Sequence, residues 1–425
     1  MQGSKKLTLF QALSIGLGNI IGAGIFIMAG ASITAAGPAA ILAFLITAFY
    51  ATTVGISNAE LSSDFPSVEG GVYSFTLLTM GETLGFLVGW FRLIAYSISG
   101  AATALGFSGY LISIGLPKIL YFPIAAFLIL ILVIIDYLGL RLAAVIESSL
   151  VVLNILGLLL FSFSSLFISG IKVGNFTPFL PHGILGVLVA SNIAFFAYSG
   201  FNTIATLTPN VENGEKTVPK AIIFSLIISA SLYMLVTFSM VDSLYWNKFG
   251  TASDPLSLVL SSIRAPSYLI YFIDLTAIIA TITVTLSIII AGERTLSQMV
   301  KDSMLPKILG GKKTTLLIIS AIMIASLSLG NVESIALASN FGIVFSYMLS
   351  GIQVAIARKR KIKGKFRSPL YPFLQIFSVI LSALFMASLG ENALVIGVVT
   401  LIVGLVVFSL HKEFIKEFES RRAIR

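Results

Sequence analysis

The sequence predicts an all-α integral membrane protein with about twelve transmembrane helices, and three observations lead to this fold class. Of its 425 residues 57% are hydrophobic and only 11% are charged, whereas soluble domains carry about 25% charged residues. The mean hydropathy is +1.02, and nearly all of the chain lies in apolar segments. The basic residues are concentrated in alternate loops. We therefore expect residues 1–425 to form a single membrane domain without a separate soluble domain.

Twelve segments hold the roughly 20 mainly apolar residues that a transmembrane helix needs. They are residues 9–35, 38–62, 84–113, 120–138, 142–169, 183–208, 219–243, 267–299, 314–330, 333–357, 371–389 and 392–410. Lys5 and Lys6 before the first segment resemble the start of a signal peptide, but the apolar region runs past any plausible cleavage site. We interpret it as a retained first span.

The distribution of basic residues predicts the orientation. Five regions on one side of the predicted spans carry most of them, namely Lys5, Lys6, Lys216, Lys220, Lys301, Lys307, Lys312, Lys313, Arg358, Lys359, Arg360, Lys361, Lys363, Lys365, Arg367, Lys412, Lys416, Arg421, Arg422 and Arg425. The opposite loops carry Lys118, Lys172, Lys248 and Arg264. Because cytoplasmic loops are rich in Lys and Arg, we predict a multi-pass protein of the cell membrane with cytoplasmic termini and a cytoplasmic tail at 411–425. The net charge of +9 therefore indicates lipid, not nucleic acid, as the partner.

Composition excludes several kinds of chemistry. The chain has no cysteine, so disulfides and cysteine–zinc sites are excluded. Its two histidines, His182 and His411, lie outside the predicted spans, and no glycine–lysine phosphate loop is present. We expect no enzyme activity, metal or cofactor, and no ATP-driven pump. A channel would need a continuous polar lining, whereas these spans carry isolated polar breaks.

The first span contains four glycines within nine residues, namely Gly16, Gly18, Gly22 and Gly24. Each costs a helix about 1 kcal/mol relative to alanine, and irregular backbone within a membrane is tolerated only where it lines a cavity or is buried in protein. An unwound segment would turn the positive N-terminal end of a second half-helix toward an anionic group such as a carboxylate. The alternative is close helix packing through the Gly18–Gly22 pair.

The sixth span contains a similar interruption. Its middle, residues 195–203, is aromatic and holds Gly200 between the polar residues Ser199 and Asn202. Two interrupted spans, five spans apart, are typical of transporters built from inverted repeats, with the binding site at the two breaks. This pairing favours unwinding of spans 1 and 6. The predicted segments are a first repeat at 9–169, a second repeat at 183–357 and two further spans at 371–410.

Several motifs, in order along the chain, resemble the amino acid–polyamine–organocation (APC) superfamily. Residues 18–26 read Gly-Asn-Ile-Ile-Gly-Ala-Gly-Ile-Phe and are similar to its first-helix pattern G-x-I-I-G-[SA]-G-I-F. Further similar stretches lie at residues 60–73, 85–90, 212–222, 294–306 and 366–372. Each motif alone is weak, but their ordered combination covers nearly the whole chain and is specific.

The resemblance implies a LeuT-type fold, with two inverted five-helix repeats plus two helices. It also implies secondary amino acid transport by alternating access. In the family, backbone amides of the first break hold the substrate carboxylate, and the corresponding residues here are Gly22, Ala23, Gly24 and Ile25. Carbonyls from both breaks hold the amino group, and the corresponding residues are Asn19, Ile20, Phe196 and Ser199. The aromatic gate of the sixth span corresponds to Phe196 or Tyr198.

Spans 3, 6 and 8 are expected to form the side-chain pocket. Tyr96, Gly100 and Thr103 share one helical face of span 3, and Gly200 and Asn202 come from span 6. We find no carboxylate at mid-depth in this pocket, which favours a neutral amino acid as substrate. A cationic amino acid or polyamine exchanger is the alternative, and a membrane sensor that binds without translocating is another.

The sequence does not decide between H⁺ and Na⁺ as the coupling ion. Some proton-coupled relatives have a lysine near the position of Asn154, which cannot titrate, so we favour a hydrogen-bonding role between helices. Sodium-coupled proteins of this fold use hydroxyls of span 8, at a level that corresponds here to Thr283, Thr285 and Ser287. We favour the simpler interpretation that these hydroxyls bond carbonyls of their own helix. Asp274, within span 8, is an ionisable candidate.

Overall fold

The computed structural model describes residues 6–68, 71–139, 144–250 and 252–423, with the backbone only at 144–147 and 413–423. This part of the chain is almost entirely helical. Its fifteen α-helices are α1 (Leu9–Ile20), α2 (Ala23–Ala36), α3 (Ala40–Asp64), α4 (Val72–Met80), α5 (Glu82–Ser113), α6 (Tyr121–Tyr137), α7 (Ala144–Ser169), α8 (Gly183–Tyr198), α9 (Gly214–Ser243), α10 (Pro255–Ser262), α11 (Ser267–Lys301), α12 (Lys312–Ser326), α13 (Val332–Lys359), α14 (Phe373–Ala387) and α15 (Glu391–Ala423).

Ten helical segments of the described residues are long and apolar enough to cross a membrane. The predicted multi-pass, all-α class is therefore confirmed. One of the ten, Leu9–Asp64, is 56 residues long and contains α1, α2 and α3, so it includes both the first and the second predicted span. α14 is apolar but has only 15 residues.

Three helical features were not predicted. α4 and α10 lie in loops between predicted spans and have 9 and 8 residues, too few to cross a bilayer. Pro255 opens α10, where its fixed φ suits the first helical turn. α15 continues into the predicted tail, because no glycine or proline follows Gly404 to end the helix.

The centre of the bundle is formed by α5 and α13. In each of these two candidate spans, 78% of the most apolar 18-residue stretch is buried inside the protein. The corresponding stretches of the spans that contain α6 and α15 are 28% and 22% buried. α5 packs against α11 and α13, while α3 packs against α9, and α2 against α8. The peripheral helices keep apolar side chains at the surface, as expected where lipid is the solvent.

One end of the bundle, here called the basic end, is closed by ion pairs. Glu60 near the end of α3 is fully buried and accepts hydrogen bonds from Arg358 at 2.8 and 2.9 Å and from Arg367 at 2.7 Å. Arg360 donates to the carbonyl oxygens of Leu78 and Thr79 at 2.8 and 3.0 Å. These arginines of the predicted basic loop are thus bound within the protein.

Candidate functional site

The glycine-rich segment of the first helix contains an interruption. α1 ends at Ile20 and α2 begins at Ala23, and Gly22 between them has φ −125° and ψ −140°, which is not helical. Gly22 provides no side-chain cap for α2. The first amides of a helix lack intrahelical acceptors and carry partial positive charge. The start of α2, from Ala23 to Ile25, is buried, so these amides lie inside the protein.

The second interruption is a change of helix type. α8 ends at Tyr198, and the chain continues as a 3₁₀ segment, Ser199–Asn210. Runs of 3₁₀ helix longer than three or four residues are uncommon. This segment has 12 residues and includes Pro209, which has no amide hydrogen to donate.

Two glycines bring the interrupted helices together. A Cβ atom on Gly200 would lie 2.1 Å from the carbonyl oxygen of Asn19. A Cβ atom on Gly24 would lie 2.3 Å from the Cα atom of Ala197. Both neighbours are backbone atoms that cannot rotate away, so only glycine allows these approaches. The two breaks therefore lie against each other.

Hydrogen bonds join the same two chain segments. Asn19 donates through Nδ2 to Thr203 Oγ1 at 2.9 Å and to the carbonyl oxygen of Ile15 at 3.0 Å. Leu7, just before α1, donates from its amide to the carbonyl oxygen of Asn210 at 2.9 Å, and its carbonyl accepts from the Glu212 amide at 2.9 Å. The half-helix α1 is thereby fixed along the 3₁₀ segment.

Tyr233 of α9 contacts both breaks but was not singled out from the sequence. Its hydroxyl lies 2.5 Å from the carbonyl oxygen of Ile20 and 3.1 Å from that of Ala197. These two carbonyls belong to the last turns of α1 and α8. The available signal was a phenol in the middle of an apolar span, since a buried tyrosine hydroxyl usually has a hydrogen-bond partner.

Several carbonyls assigned to the substrate amino group already accept hydrogen bonds. Ile20 accepts from the Gly22 amide at 2.9 Å as well as from Tyr233. Phe196 accepts from the Ser199 hydroxyl at 3.0 Å, and Ser199 accepts from the Tyr347 hydroxyl at 2.9 Å. A carbonyl oxygen has two lone pairs, and the Ile20 and Phe196 carbonyls each accept two hydrogen bonds, the second bond to Phe196 coming from the Ser199 amide. An ammonium group would therefore have to replace one of these bonds at either carbonyl.

The two candidate gate residues have different surroundings. The Tyr198 ring is fully buried and packs against Phe44 and Tyr233, with ring centroids 6.4 and 4.9 Å apart. Its hydroxyl lies 3.5 Å from the carbonyl oxygen of Phe44. Phe196 is also buried, with 6% of its surface exposed. Tyr198 is therefore a core residue between α3 and α9, which favours Phe196 as the gate.

One residue predicted for the side-chain pocket contacts one residue predicted for the ion site. Thr103 of α5 and Thr285 of α11 have their hydroxyl oxygens 2.7 Å apart. The Thr283 hydroxyl bonds carbonyls of its own helix at 3.0 Å. Gly100 does not face the breaks, because a Cβ atom there would lie 2.4 Å from Cε of Met323 in α12.

Several buried amide side chains are incompletely paired among the described residues, and Asn154 and Asn202 are two of them. Asn154 in α7 is buried, and its Oδ1 has no partner among the described residues. Asn202 accepts at Oδ1 from Asn58 Nδ2 at 2.6 Å, while its own Nδ2 is unpartnered in the same part of the chain. An unsatisfied buried amide needs an explanation, such as an ordered water, an ion or a functional role.

The ionisable residues of the predicted spans differ in their partners. Asp274 accepts a hydrogen bond from Ser257 of α10. Asp136 at the end of α6 is 3.8 Å from Nζ of Lys312. Arg92 in α5, which the sequence reasoning did not single out, is buried next to Tyr96. Its signal was a basic residue eight positions inside a predicted span.

The family model described as amino acid permease matches residues 7–415. This chain belongs to the amino acid permease family. The resemblance of its ordered motifs to the APC superfamily is thereby confirmed. The family and the relatives described next are transporters, not enzymes.

The relatives of this permease bear different substrate names. It is 29% identical to the branched-chain amino acid permease of Bacillus subtilis over 96% of this chain and 93% of that protein. It is 30% identical to the methylthioribose transporter of the same organism over the same shares. It is also 30% identical to the mitochondrial cationic amino acid transporter 3 of Arabidopsis thaliana, over 72% of this chain and 53% of that protein.

Proposed function

We propose that this protein is a secondary active transporter of neutral amino acids that works by alternating access. The observation that carries the proposal is the contact between the two breaks at Gly200 and Asn19. It places the amide end of one half-helix near the carbonyl ends of two others. An amino acid zwitterion has the complementary charges, since its carboxylate suits the amides and its ammonium suits the carbonyls.

In the proposed site the amides of Gly22, Ala23, Gly24 and Ile25 hold the substrate carboxylate. The carbonyls of Asn19, Ile20, Phe196 and Ser199 hold the ammonium group. Tyr233 is a positioning residue, because its hydroxyl lies between two carbonyl ends, those of Ile20 and Ala197.

The proposed pocket for the substrate side chain lies between α5, α11 and the 3₁₀ segment. The contacts described above favour Tyr96, Thr103 and Asn202 as lining residues and Phe196 as the gate. The absence of a described carboxylate among these residues supports a neutral substrate. The branched-chain amino acid permease among the relatives supports a neutral amino acid as substrate. The cationic amino acid transporter among them supports the alternative, an exchanger of cationic amino acids or polyamines.

We extend the proposal to the membrane arrangement. The interrupted pair α1 and α2 forms the first of twelve spans, and the spans follow the LeuT-type arrangement, with the breaks near mid-membrane. The basic end faces the cytoplasm, together with both termini, in agreement with the excess of Lys and Arg in cytoplasmic loops. Asn154, whose Oδ1 has no partner among the described residues, and the hydroxyls of Thr283, Thr285 and Ser287 are the proposed coupling positions.

Uptake into proteoliposomes tests the function. The panel holds labelled leucine, alanine, arginine, putrescine and methylthioribose, each with a proton gradient, a sodium gradient or internal amino acid. Accumulation of neutral amino acids with one gradient supports the proposal and identifies the coupling ion, and dependence on internal amino acid alone makes the protein an exchanger. Binding of leucine without flux under all three conditions would favour the sensor, and arginine or putrescine flux alone would favour the exchanger of cations.

A further inference from the structure

Arg92 is a buried charge deep inside the bundle. α5 begins at Glu82, whose carboxylate lies 3.0 Å from Nζ of Lys412 at the basic end. Ten residues of helix, at 1.5 Å each, place Arg92 about 15 Å farther along the axis. This is roughly half of a ~30 Å hydrocarbon core. Only 7% of Arg92 is exposed.

The surroundings of Arg92 do not neutralise its charge. The guanidinium carbon is 4.8 Å from the Tyr96 ring centroid and 5.7 Å from that of Tyr347, and Nη2 donates to the Tyr96 hydroxyl. No ion pair joins Arg92 to a carboxylate among the described side chains, whereas Arg358 and Arg367 both pair with Glu60. Intramembrane charges are costly and normally paired, so an unpaired guanidinium indicates a functional position.

Arg92 is connected to the proposed substrate site through Tyr347. The Tyr347 hydroxyl donates to the Ser199 carbonyl, where the 3₁₀ segment begins. Asn202 follows Ser199 by three residues, which is one turn of the 3₁₀ segment. Asn202 is 2% exposed, and with Oδ1 bonded to Asn58 its Nδ2 donor is unpartnered in the described residues. The guanidinium of Arg92, next to Tyr347, and the amide donor of Asn202, one turn from the Ser199 carbonyl that Tyr347 contacts, thus both lack a carboxylate partner among the described residues.

We propose that Arg92 binds a carboxylate of the transported molecule on the basic-end side of the two breaks, with Asn202 as the neighbouring donor. The proposal rests on the proposed function and adds a second anion position to it. A guanidinium forms two parallel hydrogen bonds with a carboxylate, a geometry that Lys cannot reproduce. The carboxylate is either the α-carboxylate of a substrate leaving the start of α2 or the side-chain carboxylate of a dicarboxylic amino acid.

Ligand binding to the purified full-length chain tests the proposal. The probes are leucine, glutamate, 4-methylpentanoate, which has leucine's side chain and carboxylate without an amino group, and 3-methylbutylamine, which lacks the carboxylate. Affinities are measured by calorimetry for the wild type, Arg92→Gln, Arg92→Lys and the matched control Arg360→Gln. Arg92→Gln is expected to weaken carboxylate binding about tenfold to a hundredfold, because a hydrogen bond to a charged group is lost.

The two sources of the carboxylate give different results. A loss for leucine and 4-methylpentanoate identifies the α-carboxylate, and a loss for glutamate alone identifies the side-chain carboxylate. Binding of 3-methylbutylamine is expected to be unchanged by Arg92→Gln, and Arg360→Gln is expected to match the wild type with every probe. Arg92→Lys keeps the charge and is expected to weaken carboxylate binding about threefold to tenfold.

Failure of this proposal is distinguishable from failure of the proposed function. Unchanged carboxylate affinity in folded Arg92→Gln, or in Arg92→Lys if the first variant does not fold, would make Arg92 a structural cation only. The Arg92 site would also be refuted if the wild type bound none of the three probes that carry a carboxylate, namely leucine, glutamate and 4-methylpentanoate. A wild type that binds 4-methylpentanoate through Arg92 but transports no amino acid would retain the site and refute the transport function.

Discussion

Replacing Gly200 with alanine tests the contact between the two breaks. The new Cβ atom would lie 2.1 Å from the Asn19 carbonyl oxygen and 2.5 Å from its carbonyl carbon. Because Cβ contacts under 3.0 Å are essentially never observed, the backbones must separate by about 0.9 Å, the difference between 3.0 and 2.1 Å. Alanine also favours the helical backbone by up to about 1 kcal/mol, which offsets part of the overpacking cost of about 1–3 kcal/mol. We expect a net cost of about 1–2 kcal/mol.

The expected readout is amino acid uptake into proteoliposomes together with the melting temperature in detergent. If the separation weakens the site by the same free energy, uptake falls about fivefold to thirtyfold. Gly174→Ala is the matched control, since no atom lies within 4 Å of a Cβ there, and it should keep wild-type uptake. Wild-type uptake and melting temperature in Gly200→Ala would refute the close contact, and with it the argument that joins the two breaks into one site.

Three further predictions follow from contacts at other positions. Tyr233→Phe removes the hydroxyl between two carbonyls, and a neutral hydrogen bond contributes about 0.5–1.5 kcal/mol. We expect uptake to fall about threefold to tenfold, with a small fall in melting temperature. A fall in melting temperature with wild-type uptake would contradict the positioning role. Glu60→Gln leaves Arg358 without a carboxylate and Arg367 with only the more distant Asp64, at 3.8 Å, so it should lower the free energy of unfolding by about 2–4 kcal/mol. Glu215→Gln, in a more exposed pair with Lys365, should change it by at most about 1 kcal/mol. Equal melting temperatures of the two variants would be inconsistent with this. Burial raises the pKa of Asp254 above its ordinary 3.8, so the folded state loses stability as the pH rises from about 4 through the raised pKa. Asp254→Asn should therefore have a higher melting temperature than the wild type at pH 7, and the same melting temperature below pH 4. A difference that persists below pH 4 would exclude the carboxyl as its cause.

The spans were predictable because each requires a long apolar segment, and that requirement is local in sequence. α10 escaped prediction because an eight-residue helix in a polar loop has no comparable periodic signal. The interruption between Ile20 and Ala23 lies in a segment whose glycines disfavour helix locally. The 3₁₀ segment has one glycine and one proline in 12 residues, and its length follows from packing against α1, α3 and α9.

The partners of individual side chains were not predictable in the same way. Tyr233 lies 213 residues from Ile20 in the chain, and no spacing rule connects two such positions. Gly100 shares a helical face with Tyr96, but its neighbour Met323 comes from α12. Helix periodicity establishes which residues share a face, and tertiary packing decides what that face meets.

The backbone pairing of Leu7 with Asn210 and Glu212 makes these two chain segments a fixed reference pair for spectroscopy. Spin labels on opposite sides of this pairing should keep one interlabel distance throughout a turnover cycle. Labels placed one before α1 and one on α5 should instead report any relative displacement of α1. Because the chain contains no cysteine, thiol-reactive labels can be introduced singly or in pairs into the otherwise unaltered protein.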